Sequence, residues 1–292
     1  MQKILITGGD GFIARSLCEG FQDSFSVISA NRHVLDLTDS EKVSNFLKHN
    51  HFDVVIHTAT YDAAPLFSTK DPTRVLETNL KMFFNIVRCS DIFGKMIYFG
   101  SGAEFSREHW KPKMKEDYFD VHVPNDPYGF SKYLMSKYTQ IDSNIYNLRL
   151  FGVFGKYDDW RYRFIPNVCC QAVFDMPITI NENAIFDFLY IDDLLKIVHW
   201  FVKNKPSRNI YNVCTGRTYD FVTLAEKVAS ISGKDIKIEL KTEGAGKEYS
   251  GDNSLVMQEL KGFEFIPIDQ SIEDLYKWYE QNIDLIDKNQ LH

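Results

Sequence analysis

Apolar positions fall in short runs whose period switches along the first half of the chain. Lys3-Ile-Leu-Ile-Thr7 is an unbroken strand-like run that ends at Gly8-Gly-Asp-Gly11, residues 12–21 follow a helical period, and residues 24–29 read again as strand. Further strands are predicted at residues 53–57, 95–99 and 144–150, with helices over residues 72–90 and 128–140. Strand runs that are apolar on both faces and alternate with helices imply a parallel sheet covered on both sides, an α/β architecture. The texture changes after the bend Phe151-Gly-Val-Phe-Gly155, where aromatics and charges mix, a helix is expected near residues 168–174 and one strand at residues 236–240. The division this predicts is residues 1–155 with 187–215 in the main unit, and residues 156–186 with 216–292 in a smaller C-terminal α/β lobe.

Composition narrows the class. The 292 residues are 44% apolar and 25% charged, without the long apolar run of a membrane span or the basic-then-apolar start of a secretory signal. A net charge of -7 disfavours a nucleic-acid binder, which needs clustered cations. Five scattered cysteines without a CxxC pair read as reduced thiols of a cytoplasmic protein, with neither a disulfide framework nor a zinc site expected.

The glycine-rich turn is the first candidate for chemistry. Gly8-Gly-Asp-Gly11-Phe12-Ile13-Ala14 follows a strand and opens a helix, where glycine lets backbone N–H groups approach a pyrophosphate and a small third residue lets helix and strand pack closely. The second strand ends in Asn31-Arg32 rather than an acid, and Arg32 can pair with a 2′-phosphate, which favours NADP(H) while NAD(H) stays open. Asp10 in the loop works against a nearby phosphate. Asp36, followed by Leu37, is placed to accept from an adenine amine.

The second candidate is a constellation. Ser101 follows the apolar run at Phe99, so it lies beyond the carboxyl end of a parallel strand, where sites of open α/β sheets form. Tyr128 and Lys132, four apart, share one helix face, and a lysine beside the phenol is expected to lower its pKa from about 10 toward neutrality, making it a proton donor and acceptor. Tyr133 and Lys137 repeat the spacing, but five residues turn a helix by about 140°, so the two pairs cannot serve one site. Pro127 and Gly129 mark a helix start and select Tyr128.

Gly8-Gly-Asp-Gly11, Asp53-Val-Val-Ile-His57, Asn79, Ser101 and Tyr128/Lys132, with the later stretches Phe188-Leu-Tyr-Ile-Asp-Asp-Leu194 and Tyr211-Asn-Val-Cys-Thr-Gly216, resemble the extended short-chain dehydrogenase/reductase family that acts on nucleotide-sugars. The resemblance covers nearly the whole chain. It implies a Rossmann-type doubly wound sheet and a lobe holding a nucleotide-diphospho-sugar. Ser101 and Tyr128 would hold the sugar C4 oxygen, and Lys132 the nicotinamide ribose as well; Thr58, Ala59 and Asn79 join the candidate cofactor contacts. It also implies a homodimer through the helices bearing Asn79 and Tyr128, although core packing explains the same apolar faces.

Three departures narrow the reaction. Dehydratases of this family carry an Asp-Glu pair where this chain has Gly102 and Ala103, which disfavours dehydration unless Glu104 substitutes. GDP-fucose synthase, the nearest pattern, epimerises with a cysteine and a histidine where this chain has Ala103 and Arg163, neither of which can shuttle a proton at neutral pH. The arginine that often precedes the acidic-Phe pair is Phe186, so the diphosphate needs other cations: Lys247, Arg217, Arg161 or Arg163, with Asn167 either a diphosphate contact or a helix N-cap. His57 and His199 read as structural, and His109-Trp110 as possible lining of the sugar pocket. The expectation is NADPH-dependent reduction of the C4 keto group of a nucleotide-linked 4-keto-6-deoxy hexose or heptose, without 3,5-epimerisation. The alternatives are a 4-epimerase that keeps NAD bound and a nucleotide sensor that lost its chemistry.

Overall fold

The computed structural model describes residues 1–63 and 68–291. In chain order its elements are β1 (Lys3–Thr7), α1 (Phe12–Phe21), β2 (Ser26–Ala30), α2 (Ser40–Asn50), β3 (Val54–His57), α3 (Val75–Val87), β4 (Lys95–Ser101), α4 (Pro127–Thr139), β5 (Ile145–Leu150) and β6 (Gly152–Phe154). There follow α5 (Phe164–Val173), β7 (Ile178–Phe186), β8 (Phe188–Tyr190), α6 (Ile191–Lys203), β9 (Ile210–Val213), β10 (Tyr219–Asp220), α7 (Phe221–Ser232), β11 (Ile238–Tyr249), α8 (Ser254–Glu259) and α9 (Ile268–Gln281).

Six parallel strands form the main sheet in the order β2-β1-β3-β4-β5-β9, a Rossmann-type doubly wound arrangement. The pleat divides its apolar residues between two cores: Ile4, Ile6, Val54, Ile56, Ile97 and Phe99 face one helical layer, while Leu5, Val55, Met96 and Tyr98 face the other. Chain order reverses at β1, so a crevice opens between the carboxyl ends of β1 and β3. A second sheet, β10-β7-β11, and the pair β6-β8 make the rest, and the sequence pattern anticipated neither β7 nor α2. Asp187 ties these parts together. Its N–H donates to the Tyr249 carbonyl at 3.1 Å, and its buried carboxylate accepts from the Thr215 and Gly216 N–H groups at 2.9 and 2.7 Å.

His57 closes β3 fully buried, sharing a 2.9 Å hydrogen bond with the Thr7 hydroxyl. Burial, with the Lys132 charge adding, pushes its pKa down to about 3. The unfolded chain therefore takes up a proton below about pH 6.5 that the folded chain refuses, and stability falls with acidification by about 1.4 kcal/mol per pH unit until about pH 3. Asp158 and Asp187, raised by burial to about 7 and about 6, act in the opposite sense. The clean measurement is thus a difference: the urea-unfolding lead of the wild type over His57→Gln should shrink between pH 6.5 and 4, and a constant lead would show that His57 is not held neutral.

Candidate active site

The crevice at β1 is built for an anion. Gly8 has φ +70°, and a Cβ there would lie 2.8 Å from the Ala59 backbone, so the turn needs glycine both for its conformation and for the approach of β3. The Gly11 N–H donates to the Gly8 carbonyl at 2.8 Å. Gly11 then caps α1 without a side-chain bond, and the first turn carries no acid, so the helix start presents free N–H groups. This arrangement fits a dinucleotide pyrophosphate. Phe12 and Ile13 are part-buried against the core. Asp10 is engaged by Asn31, whose amide donates to it at 3.1 Å, and exposed Arg32 follows on the same turn.

Other candidates at this end are tied into the protein. Asp36 accepts from the Thr38 hydroxyl at 2.7 Å and the Thr38 N–H at 3.0 Å; these bonds, helped by the Arg32 charge, hold its carboxyl below the ordinary value. Leu37 is a core residue whose carbonyl accepts from Asn85. The Thr58 hydroxyl donates to the Thr7 carbonyl at 2.6 Å, and the Ala59 N–H to the Thr7 hydroxyl at 3.4 Å. Buried Asn79 accepts from the Tyr61 N–H at 2.7 Å and donates to the Tyr61 carbonyl at 3.1 Å, so it pins the loop after β3.

Ser101 ends β4 and caps a single 3-10 turn, its hydroxyl accepting from the Ala103 N–H and Glu104 accepting from the Ser101 N–H, both at 3.1 Å. Asp126 caps α4 through the Gly129 N–H at 2.8 Å, with Pro127 in the first turn, which sets Tyr128 at the helix start. The Tyr128 phenol interacts with the Ser101 side chain. Buried Lys132 donates to the Phe99 carbonyl at 2.8 Å, with its ammonium 4.8 Å from the Tyr98 ring centre and 5.8 Å from that of Tyr128.

The expected pKa of Tyr128 is corrected here. Burial is the largest influence and raises the phenol well above its ordinary value, Tyr249 and Asp62 add to the rise, and Ser101 and Arg163 only offset part of it. Burial also pushes Lys132 down to about 8. In this state Tyr128 is an acid across the neutral range. Tyr133 and Lys137 both bond Asp120, away from Ser101.

Gly102 and Ala103 are buried, and so is Glu104. Glu104 accepts from Arg149 Nε at 2.7 Å, both side chains being fully buried, and Asn147, Ser136 and Asn212 complete the network. Glu104 is thereby removed as a substitute acid or base. Arg163 precedes α5, its Nε 3.9 Å from Asp158, and its charge reaches both Tyr128 and Tyr249. α5 begins at Phe164, earlier than the apolar pattern suggested, so Asn167 lies inside it, its amide donating to the Trp160 carbonyl at 2.9 Å; its reading as an N-cap is withdrawn. Lys247 is exposed on β11. Trp110 stacks on Tyr249 with ring centres 4.2 Å apart, while His109 stacks on His122. Tyr249 and Asp62 are the site residues that the sequence did not disclose. Among the described residues no cluster of His, Cys, Asp or Glu is arranged to hold a metal, and no helix is long and apolar enough to cross a membrane.

Comparison with known proteins adds a family and relatives. The family model described as "NAD dependent epimerase/dehydratase family" matches residues 4–214. The chain is similar to the GDP-L-colitose synthase of Yersinia pseudotuberculosis, 22% identical over 255 residues that cover 79% of this chain and 82% of that protein. It is also similar to the UDP-glucose 4-epimerase of Lactobacillus helveticus, 24% identical with 96% and 98% covered. Among solved structures, the GDP-mannoheptose C4 reductase of Campylobacter jejuni, with NADP bound, superimposes with a TM-score of 0.84 at 20% identity, covering 96% of this chain and 98% of that one.

Proposed function

The chain belongs to the NAD-dependent epimerase/dehydratase family, and we propose that within it the protein is an NADPH-dependent reductase of the C4 keto group of a nucleotide-linked 4-keto-6-deoxy hexose or heptose, acting without 3,5-epimerisation. The observation that carries this reading is Ser101 beside Tyr128, with Lys132 anchored behind them and, at Gly102, Ala103 and Arg163, no acid–base pair of the kind 3,5-epimerisation needs. When bound on the glycine turn, NADPH supplies the hydride that adds to C4. Ser101 donates a hydrogen bond to the C4 oxygen, and Tyr128 gives that oxygen its proton as the carbonyl becomes an alcohol. Lys132 holds the ribose and keeps positive charge near the phenolate that remains. Arg163, Lys247 and Asn167 are the proposed contacts to the diphosphate and sugar, and Arg32 is the proposed reader of the 2′-phosphate.

The similarity to a C4 reductase solved with NADP supports reduction and this cofactor, and the similarity to a GDP-L-colitose synthase supports a nucleotide-linked sugar as substrate. The epimerase relative keeps a second reading in view, because the same three side chains can oxidise and re-reduce C4 around a retained NAD. A homodimer through α3 and α4 is proposed as well; Phe84 stands exposed there against Tyr138.

Absorbance at 340 nm separates the readings. NADPH, then NADH, is offered with GDP-, dTDP-, CDP- and UDP-linked 4-keto-6-deoxy sugars generated in place by their dehydratases. Stoichiometric loss of NADPH with one sugar is expected, and in D2O the product should carry no solvent deuterium at C3 or C5. Deuterium at either carbon would restore epimerisation, and NAD retained through purification without NADPH loss would favour the 4-epimerase.

A further inference from the structure

Tyr249 enters the carbonyl site from far along the chain. It ends β11 and is buried, with its ring stacked on Trp110 at 4.2 Å and against Phe151 and Phe186 at 5.1 Å each. A Cβ placed on Gly102 would lie 2.6 Å from the Tyr249 hydroxyl and 2.8 Å from Phe151, so the residue after Ser101 must be glycine for the ring to reach this point. The Tyr249 hydroxyl thus lies beside Gly102, next in the chain to Ser101, and Ser101 favours the ionised form of both this phenol and that of Tyr128, so both phenols are within reach of the serine.

A serine hydroxyl has one proton to give and two lone pairs to fill. The Ala103 N–H, 3.1 Å away, takes one lone pair. Burial pushes the Tyr249 phenol up to about 12, so at neutral pH it is protonated and able to donate into the other. With both lone pairs taken, the serine proton is left to point toward Tyr128 and the space before it.

Building on the proposed reductase reading, we propose that Tyr249 is a positioning residue, whose O–H donates to Ser101 Oγ and thereby aims the serine O–H at the carbonyl oxygen of the keto sugar. It places a determinant of the reaction on the strand that closes the small sheet.

Tyr249→Phe keeps the ring and its stacking and removes only the hydroxyl. With the 4-keto sugar that the wild type reduces, kcat should fall about tenfold, the weight of one hydrogen bond, while KM and the melting temperature hardly move. Ser101→Ala and the double variant Ser101→Ala/Tyr249→Phe should lose the same activity, because Tyr249 acts only through the serine. A kcat for Tyr249→Phe within about twofold of the wild type overturns the proposal, as do losses that add in the double variant, which would mean independent action. Tyr128→Phe is run alongside. If the wild type reduces none of the four nucleotide sugars, the reductase reading falls and takes this proposal with it. If Tyr128→Phe keeps more than a tenth of the wild-type rate, the proton donor lies elsewhere and the serine has no partner acid to be aimed beside, which also overturns the proposal. If Tyr128→Phe loses about a thousandfold and Tyr249→Phe is normal, the reductase reading stands and Tyr249 alone is acquitted.

Discussion

Tyr128→Phe should lower the rate of sugar reduction by about a thousandfold while leaving NADPH binding within a few-fold of the wild type. The expectation follows from geometry first: Tyr128 is set at the start of α4 by the Asp126 cap and faces Ser101, and a positioned general acid typically contributes 10²- to 10⁴-fold. Burial keeps its proton on through the neutral range, which suits the reductive direction, where the phenol must give a proton. The alkaline limb of activity should therefore come from Lys132, which burial brings down to about 8. Its charge favours the phenolate left after proton transfer, so kcat/KM should decline above about pH 8 and stay level below it. A Tyr128→Phe protein with more than a tenth of the wild-type rate would move the proton donor elsewhere.

The second large effect is on stability. Removing one partner of the Glu104–Arg149 pair leaves the other charged and fully buried, a change that costs about 3–5 kcal/mol, so Arg149→Met should lower the melting temperature by roughly 10 °C. Glu104→Gln should be milder if its amide oxygen still accepts from the Ser101 N–H, and the double variant should lose less than the two single losses together, with a coupling of about 1–3 kcal/mol. Differential scanning calorimetry on the four proteins gives the result; Arg149→Met melting within two or three degrees of the wild type would mean that water reaches the pair. The same network carries the backbone of Ser101, so the single variants should also lose activity out of proportion to the folded protein that remains.

What the residues disclosed, and what they withheld, follows from the range of each interaction. The turn at Gly8, the strand leading to Ser101 and the Tyr128 helix are local patterns, and the structure places them where the spacing put them. β7 was not legible because Asn181, Glu182 and Asn183 interrupt its apolar run, and its partners β10 and β11 come later in the chain. α2 buries only Val43 and Leu47, packs Phe46 against the same core, and is otherwise polar, too sparse an apolar stripe to read as a helix. Spacing also gives a face but no depth: it put Lys132 beside Tyr128 correctly, yet the sign of the phenol's shift depended on burial. Tyr249 carries no motif at all, and only the folded chain brings it to Gly102.

The bare start of α1 makes the protein an incomplete helix waiting for its cap. Orphan N–H groups at that end, with no side chain to receive them, leave the pyrophosphate of a bound dinucleotide to do the work that a serine or aspartate does in other helices. Ligand binding and folding are then linked. A cofactor at about a hundred times its dissociation constant should stabilise the fold by about 2.7 kcal/mol, so NADP and NAD can be ranked from melting curves alone, before any sugar has been identified. If Arg32 reads the 2′-phosphate, Arg32→Ala should erase the extra degrees given by NADP and keep those given by NAD.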